Sequence, residues 1–136
     1  MQIRNYSDAD FTKLEYLLKK TKIYYKPLDT RVNFRKKIKH SPGSIIVAEE
    51  NQRIVGTVFI ILDHWCSFIY HLCVHPDYRG KKLATKLMDE AESRLKSSGI
   101  KYPTLFVEKN NKDVLGFYKK RGWYVLYEVM CLEKKL

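Results

Sequence analysis

The pattern that most constrains this chain runs from Leu72 to Ser97, where an apolar strand, a short polar loop and a long amphipathic helix follow one another. In the helix, Leu83, Leu87, Ala91 and Leu95 recur every four residues with Ala84 and Met88 beside them, which gives an α-helix one apolar face. Gly99 ends it. The preceding run, Cys66–Val74, is rich in aromatic and branched residues and reads as a strand. Between them, His75–Lys82 is polar and contains Pro76 and Gly80. A strand feeding directly into such a helix needs further sheet for the helix to cover, so the chain is confined to folds that layer helices on a sheet.

The remaining elements fit that frame. Ile3–Tyr6 is a short strand, and Ser7 opens a helix with Phe11, Leu14, Leu17 and Leu18 on one face. Pro27, within Lys26–Asp29, breaks it. Arg31–His40 is a weak and very basic helix ended by Ser41-Pro42-Gly43. Ser44–Glu49 and Arg53–Leu62 are strands joined by a turn at Asn51-Gln52, the second interrupted at Gly56. After the long helix come a strand at Thr104–Glu108, a helix at Lys112–Arg121 closed by Gly122, and a final strand at Trp123–Leu132. The order predicts a mixed α/β (α+β) fold, antiparallel in its front half, with a parallel crossover through the long helix. A length of 136 residues suits one domain, 1–136, with its own core.

Charge and cysteine usage narrow the partners. Against 15 Asp and Glu stand 26 Lys and Arg, a net +11, which favours a polyanion: nucleic acid, an acidic membrane surface or a phosphorylated cofactor. No apolar run approaches the roughly 18–20 residues of a membrane-spanning helix. The start, MQIRNYSDAD, lacks the basic and apolar regions of a signal peptide, so the expected compartment is the cytoplasm. Cys66, Cys73 and Cys131 are odd in number, lie in apolar segments and form no C-x-x-C pair. They predict buried thiols in a reducing compartment and no metal site.

The candidate chemistry sits at the start of the long helix. A helix N-terminus carries unpaired N–H groups and a partial positive charge, and so attracts phosphate oxygens. Arg79, Lys81 and Lys82 surround this one, with Lys86 a turn further on. Basic side chains there oppose the helix dipole, which an anion among them would relieve; solvated lysines on an ordinary loop are the other reading. Val74, Pro76, Arg79, Gly80 and Ala84, spaced V-x-P-x-x-R-G-x-x-x-A, resemble the acetyl-CoA motif of the GNAT superfamily. That superfamily's core signature is Arg or Gln, two residues, Gly, one residue, then Gly or Ala; Lys82 stands where Gly is usual. Downstream, Asn111, Val114, Leu115, Phe117, Tyr118, Gly122 and Trp123 are similar to the family's N-x-x-A-x-x-F-Y-x-x-x-G-[FYW] segment, with Val114 for the usual Ala. The motif resemblance is specific over Leu72–Trp123 and is strongest to small bacterial and archaeal members, the YpeA-like group among them.

The resemblance implies the GNAT fold, a mixed central sheet with flanking helices whose strand ending at Val74 splays from its parallel neighbour Thr104–Glu108. It implies acetyl-CoA as cosubstrate. Leu72 and Val74 would pair through their backbone with the pantetheine arm. The Val74 N–H would stabilise the oxyanion on the thioester oxygen. The backbone of Arg79, Gly80, Lys81, Lys82, Leu83, Ala84 and Thr85 would wrap the pyrophosphate. At Lys82 a positive φ would cost ~1 kcal/mol, or the side chain points outward and adds charge. Tyr118 matches the general acid that protonates the departing thiolate. Asn111 contacts the pantetheine arm or caps a helix.

Relatives often carry a Glu base on the central strand; Ser67–Val74 has no carboxylate. Its candidates are His71 and Tyr70, which alternation sets on opposite sides, with Leu72 and Val74 on Tyr70's. His71 is taken as the base because imidazole accepts protons near neutrality, with His75 and Glu108 in reserve. Cys73 reads as a packing residue. The expected activity is an N-acetyltransferase: direct attack by a primary amine on acetyl-CoA, without an acetyl-enzyme. The acceptor is a small amine or a protein N-terminus or lysine, met by Phe11–Lys39 and the loop Asp63–Cys66, with Tyr24, Tyr25, Trp65 and Phe68 as lining candidates. Two other classes stay open. The run Arg35-Lys36-Lys37-Ile38-Lys39-His40 suits a basic nucleic-acid-associated protein, although no helix-turn-helix, RRM or KH pattern is present. A non-catalytic acyl-CoA-binding protein would also keep the first motif. Monomer and homodimer fit the sequence equally.

Overall fold

A computed structural model describes all 136 residues, which form two compact units, Met1–Leu105 and Phe106–Leu136. The first is built on a sheet of β1 (Gln2–Asn5), β2 (Ile45–Glu50), β3 (Arg53–Ile61) and β4 (Phe68–Val74). They lie in the order β1-β2-β3-β4, each neighbouring pair antiparallel. Three helices accompany them: α1 (Phe11–Lys20), α2 (Arg31–His40) and α3 (Leu83–Ser97). The β2–β3 turn uses Asn51 and Gln52 at φ of 48° and 62°. Two positive φ values in a two-residue turn match the right-handed twist of the strands it joins.

Helices cover both faces. On one, Leu14, Leu17 and Leu18 of α1 and Phe34 of α2 join Ile45, Val47, Phe59 and Cys73 in a buried cluster. The Phe34 ring is its hub, meeting Tyr6, Phe11 and Phe59 edge-on at centroid distances of 5.8, 5.7 and 5.3 Å. On the other face α3 buries Leu83, Leu87, Met88, Ala91 and Leu95, the periodic stripe of the sequence. Gly56 does not interrupt β3. A Cβ there would stand 2.9 Å from Leu87 Cδ1, so the missing side chain lets α3 seat on the sheet.

The entry to α1 is pinned by charge. Arg4 grips Asp10 with two 2.8 Å bonds and reaches Glu49 at 3.0 Å. The Asp10 carboxylate also accepts from the backbone N–H and hydroxyl of Ser7, so Ser7 marks the start of this helical stretch.

Two predicted strands are corrected. Thr104–Glu108 is reduced to one parallel bridge, Phe68 with Thr104, in which Ile69 N–H donates to Thr104 O (3.0 Å) and Thr104 N–H to Ser67 O (2.8 Å). In the second unit α4 (Lys112–Lys120) forms, with Gly122 following at φ 91°, but Trp123–Leu132 has no regular structure. Tyr124, Leu126, Met130 and Leu132 are exposed. Branched and aromatic composition favours a strand only as far as a neighbouring backbone continues the ladder, and at Thr104 the regular pairing stops after one bridge. The architecture is α+β. No helix is long and apolar enough to cross a membrane.

Candidate functional site

β4 is irregular where the sequence places its candidates. Thr57 lies opposite Cys73 and Phe59 opposite Tyr70, so His71 and Leu72 together face the single residue Val58. This is a β-bulge, and His71 sits in it at φ 53°. The extra residue overturns the alternation expected from sequence. Tyr70 pairs with Phe59 and packs on the α1 face, whereas Val74 pairs with Gly56 on the α3 face. Tyr70 and Val74 therefore do not share a side.

The bulge lies on the sheet's outer strand, where the parallel bridge to Thr104 covers only the Phe68 end. His75 N–H donates to Val55 O at 2.8 Å, marking His75 and Val55 as a hydrogen-bonded pair. Such pairs alternate in an antiparallel ladder, so the adjacent Val74 turns its N–H away from β3, to the open edge. Val74 is buried and Leu72 half-buried.

A compact loop connects this edge to α3. His75 Nδ1 accepts from the Asp77 N–H (3.2 Å) and starts one 3-10 turn, Pro76–Tyr78. Gly80 (φ 75°) and Lys82 (φ 60°, ψ 21°) are left-handed. Of the two expectations for Lys82, the strained backbone is realised. The side chain is also exposed, as are Arg79 and Lys81; Lys81 Nζ lies 5.2 Å from the Tyr78 ring centre. Ala84 and Thr85 are half-buried and Leu83 is buried. Thr30 Oγ1 caps α2 and Asn111 Oδ1 caps α4, accepting from Asn33 N–H (3.1 Å) and Val114 N–H (3.2 Å). No side chain caps α3. Its ladder opens with Lys86 N–H to Lys82 O (3.1 Å), which leaves the N–H groups of Leu83, Ala84 and Thr85 ahead of it. Lys82→Gly is expected to raise stability by about 0.5–1 kcal/mol, the strain relieved less the extra freedom of glycine in the unfolded chain. Urea unfolding measures it; a lower midpoint would refute the strain.

His71 has a partner that sequence reasoning missed. Its Nε2 lies 2.9 and 3.0 Å from the two carboxylate oxygens of Asp29, which is 4% exposed. Asp29 Oδ2 also accepts from Tyr25 N–H at 2.7 Å, and the Phe59 ring lies against the imidazole at 4.9 Å. A signal was available: Asp29 is the one acidic residue between Glu15 and Glu49, in a stretch crowded with Lys and Arg. Cys73 is buried, and burial pushes its thiol up to about 11, so it is an inert packing residue at neutral pH. Trp65, at the β3–β4 turn, is 93% exposed, while the Phe68 and Tyr70 rings lie 5.7 Å apart.

The first unit thus brings His71, Leu72, Val74 and Arg79–Thr85 onto one continuous strand, loop and helix start. In the second unit Tyr118 is buried on α4 between the edges of Phe117 (5.1 Å) and Trp123 (6.0 Å). Asn111 caps that helix and also donates its N–H to Glu108 O (3.0 Å); the Glu108 side chain is exposed.

Comparison with known proteins bears on this arrangement. The Acetyltransferase (GNAT) family model matches residues 7–123. An acetyltransferase of Yersinia pestis (strain Pestoides F) is 32% identical over 136 residues, which is 100% of this chain and 96% of that protein. An acetyltransferase of Pectobacterium atrosepticum matches with the same identity and coverage. Among solved structures, the PaiA N-acetyltransferase of Thermoplasma acidophilum in complex with coenzyme A superposes with a TM-score of 0.78 at 21% identity, over 88% of this chain and 87% of that one.

Proposed function

Because the chain belongs to the GNAT acetyltransferase family, we propose that it moves an acetyl group from acetyl-CoA to a primary amine, with the cosubstrate held along β4 and the first turn of α3. The observation that carries this reading is the outward-turned Val74 N–H on an open strand edge, followed by the start of α3 at Leu83, which has no side-chain cap. An open edge suits an amide-bearing arm, and an uncapped helix start suits a pyrophosphate.

Acetyl-CoA supplies the acetyl group as a thioester. The backbones of Leu72 and Val74 pair with the pantetheine arm, and those of Arg79, Gly80, Lys81, Lys82, Leu83, Ala84 and Thr85 hold the phosphates. The Lys81, Lys82 and Lys86 side chains add positive charge. Val74 N–H donates to the carbonyl oxygen as negative charge grows there. His71 takes a proton from the incoming amine, and the Tyr118 hydroxyl gives one to the departing sulfur. Asn111, beyond its capping bond, is proposed to meet the pantetheine arm. The inert Cys73 supports direct attack rather than an acetyl-enzyme. The family match runs across both units, which supports reading 1–136 as a single acetyltransferase domain. The acceptor is a small amine or a protein N-terminus or lysine.

Thermal melting with acetyl-CoA, CoA and ATP tests the cosubstrate site. At ~100 times the dissociation constant, either CoA form is expected to add about 2.7 kcal/mol of stability, and more than ATP does. An equal shift with ATP would reduce the site to general anion attraction. A specific CoA shift without turnover on an amine panel would leave a binding protein rather than an enzyme.

A further inference from the structure

We infer that Asp29 is the positioning residue that sets His71 as a base through Nδ1, an assignment that rests on the proposal that His71 accepts the amine proton. A carboxylate only accepts hydrogen bonds, so the contacts of 2.9 and 3.0 Å require the proton of neutral His71 to be on Nε2. Nδ1 then carries the lone pair. The same carboxylate is tied to the α1–α2 connection by the Tyr25 N–H at 2.7 Å and is 4% exposed, so it is held rather than free to turn. The Phe59 ring at 4.9 Å limits rotation of the imidazole. The side chain of His71 is 22% exposed, which leaves it open to a proton from a bound amine.

The bulge is an independent sign. A non-glycine residue at φ 53° within a strand is uncommon, and bulges of this kind re-aim a side chain. Here the residue re-aimed is His71, and the group that meets it is the one acid of the Glu15–Glu49 interval. In the step itself, the ammonium N–H bond breaks and its proton passes to Nδ1. The imidazolium formed keeps its Nε2–H bond to the Asp29 carboxylate, which balances the new charge. The proton leaves to solvent after the acetyl group has moved.

Asparagine at position 29 separates positioning from packing. It has one acceptor oxygen. The fixed Tyr25 N–H claims that oxygen and leaves an NH₂ facing His71, which makes Nε2 an acceptor and moves the ring proton to Nδ1. Asp29→Asn is expected to lower kcat about 10–100-fold with KM for acetyl-CoA within about twofold. In ¹⁵N NMR of histidine-labelled protein, the neutral His71 ring is expected to carry its proton on Nε2 in the wild type and on Nδ1 in the variant. Full activity in a folded Asp29→Asn protein overturns the inference. So does an Nδ1-protonated neutral ring in the wild type, a result that needs no variant to fold. Wild-type activity that survives His71→Gln overturns the base beneath it, while the acetyl-CoA melting shift then still supports the cosubstrate site.

Discussion

Tyr118→Phe is expected to lower kcat by about 10²–10⁴ while leaving acetyl-CoA affinity nearly unchanged, equivalent to roughly 3–5 kcal/mol on the barrier. The substitution removes one hydroxyl and keeps the ring. The ring is what packs against Phe117 and Trp123, so α4 keeps its buried face. An unassisted thiolate must leave without a proton donor, and the loss therefore falls on turnover. Steady-state kinetics with a responsive amine, alongside acetyl-CoA titration of the variant, measures both quantities. An unchanged kcat would remove Tyr118 from the mechanism. A loss confined to affinity would make it a binding residue.

The largest effect on stability is expected at Arg4. Arg4→Met leaves the Asp10 carboxylate, 5% exposed, without the guanidinium that holds both its oxygens. Breaking a buried pair from one side costs about 3–5 kcal/mol; Arg4 is partly open to water, so about 3 kcal/mol is expected, measured by urea unfolding at pH 7. The pH dependence has a sign. Bonding to Arg4 holds the Asp10 carboxyl below its ordinary 3.8. The pair's stabilisation is then fully present above that value and lost as pH falls through the folded one. In Arg4→Met this acid-limb loss should shrink, so the two proteins converge in stability as pH falls below 3.8. A gap that stays constant down to low pH would show that Arg4 acts through packing alone.

Elements that depend on their own residues were legible in the sequence. α2 and α3 begin and end where basic run, apolar period and breakers place them, at Arg31–His40 and Leu83–Ser97. The turn at Asn51-Gln52 was readable for the same reason, since Asn is a turn residue that tolerates positive φ. The motifs at Val74–Ala84 and Asn111–Trp123 marked the candidate site because they are local too. What depends on a distant partner was not legible. The β4 bulge arises from register against β3, and no residue in Phe68–Val74 announces it. It undid the assignment of Tyr70, Leu72 and Val74 to one side. Asp29 was overlooked because its partner is 42 residues away. The segments at 104–108 and 123–132 have strand composition, yet the first keeps a single bridge to Phe68 and the second no regular structure, because a ladder is decided by the partner backbone as well.

The outward-turned Val74 end of β4 has a consequence for how copies of this protein behave toward each other. A row of outward N–H and C=O groups is a template on which any extended chain can zip, a second molecule's included. A cosubstrate lying along that flank, as proposed, would act as a removable cover, and the empty protein would then be the more association-prone form. Its surplus of 11 positive charges opposes that encounter, and added salt weakens the opposition. Saturating the protein with CoA and keeping ionic strength low should therefore protect the same surface by two unrelated routes, one by occupying it and one by keeping other copies away.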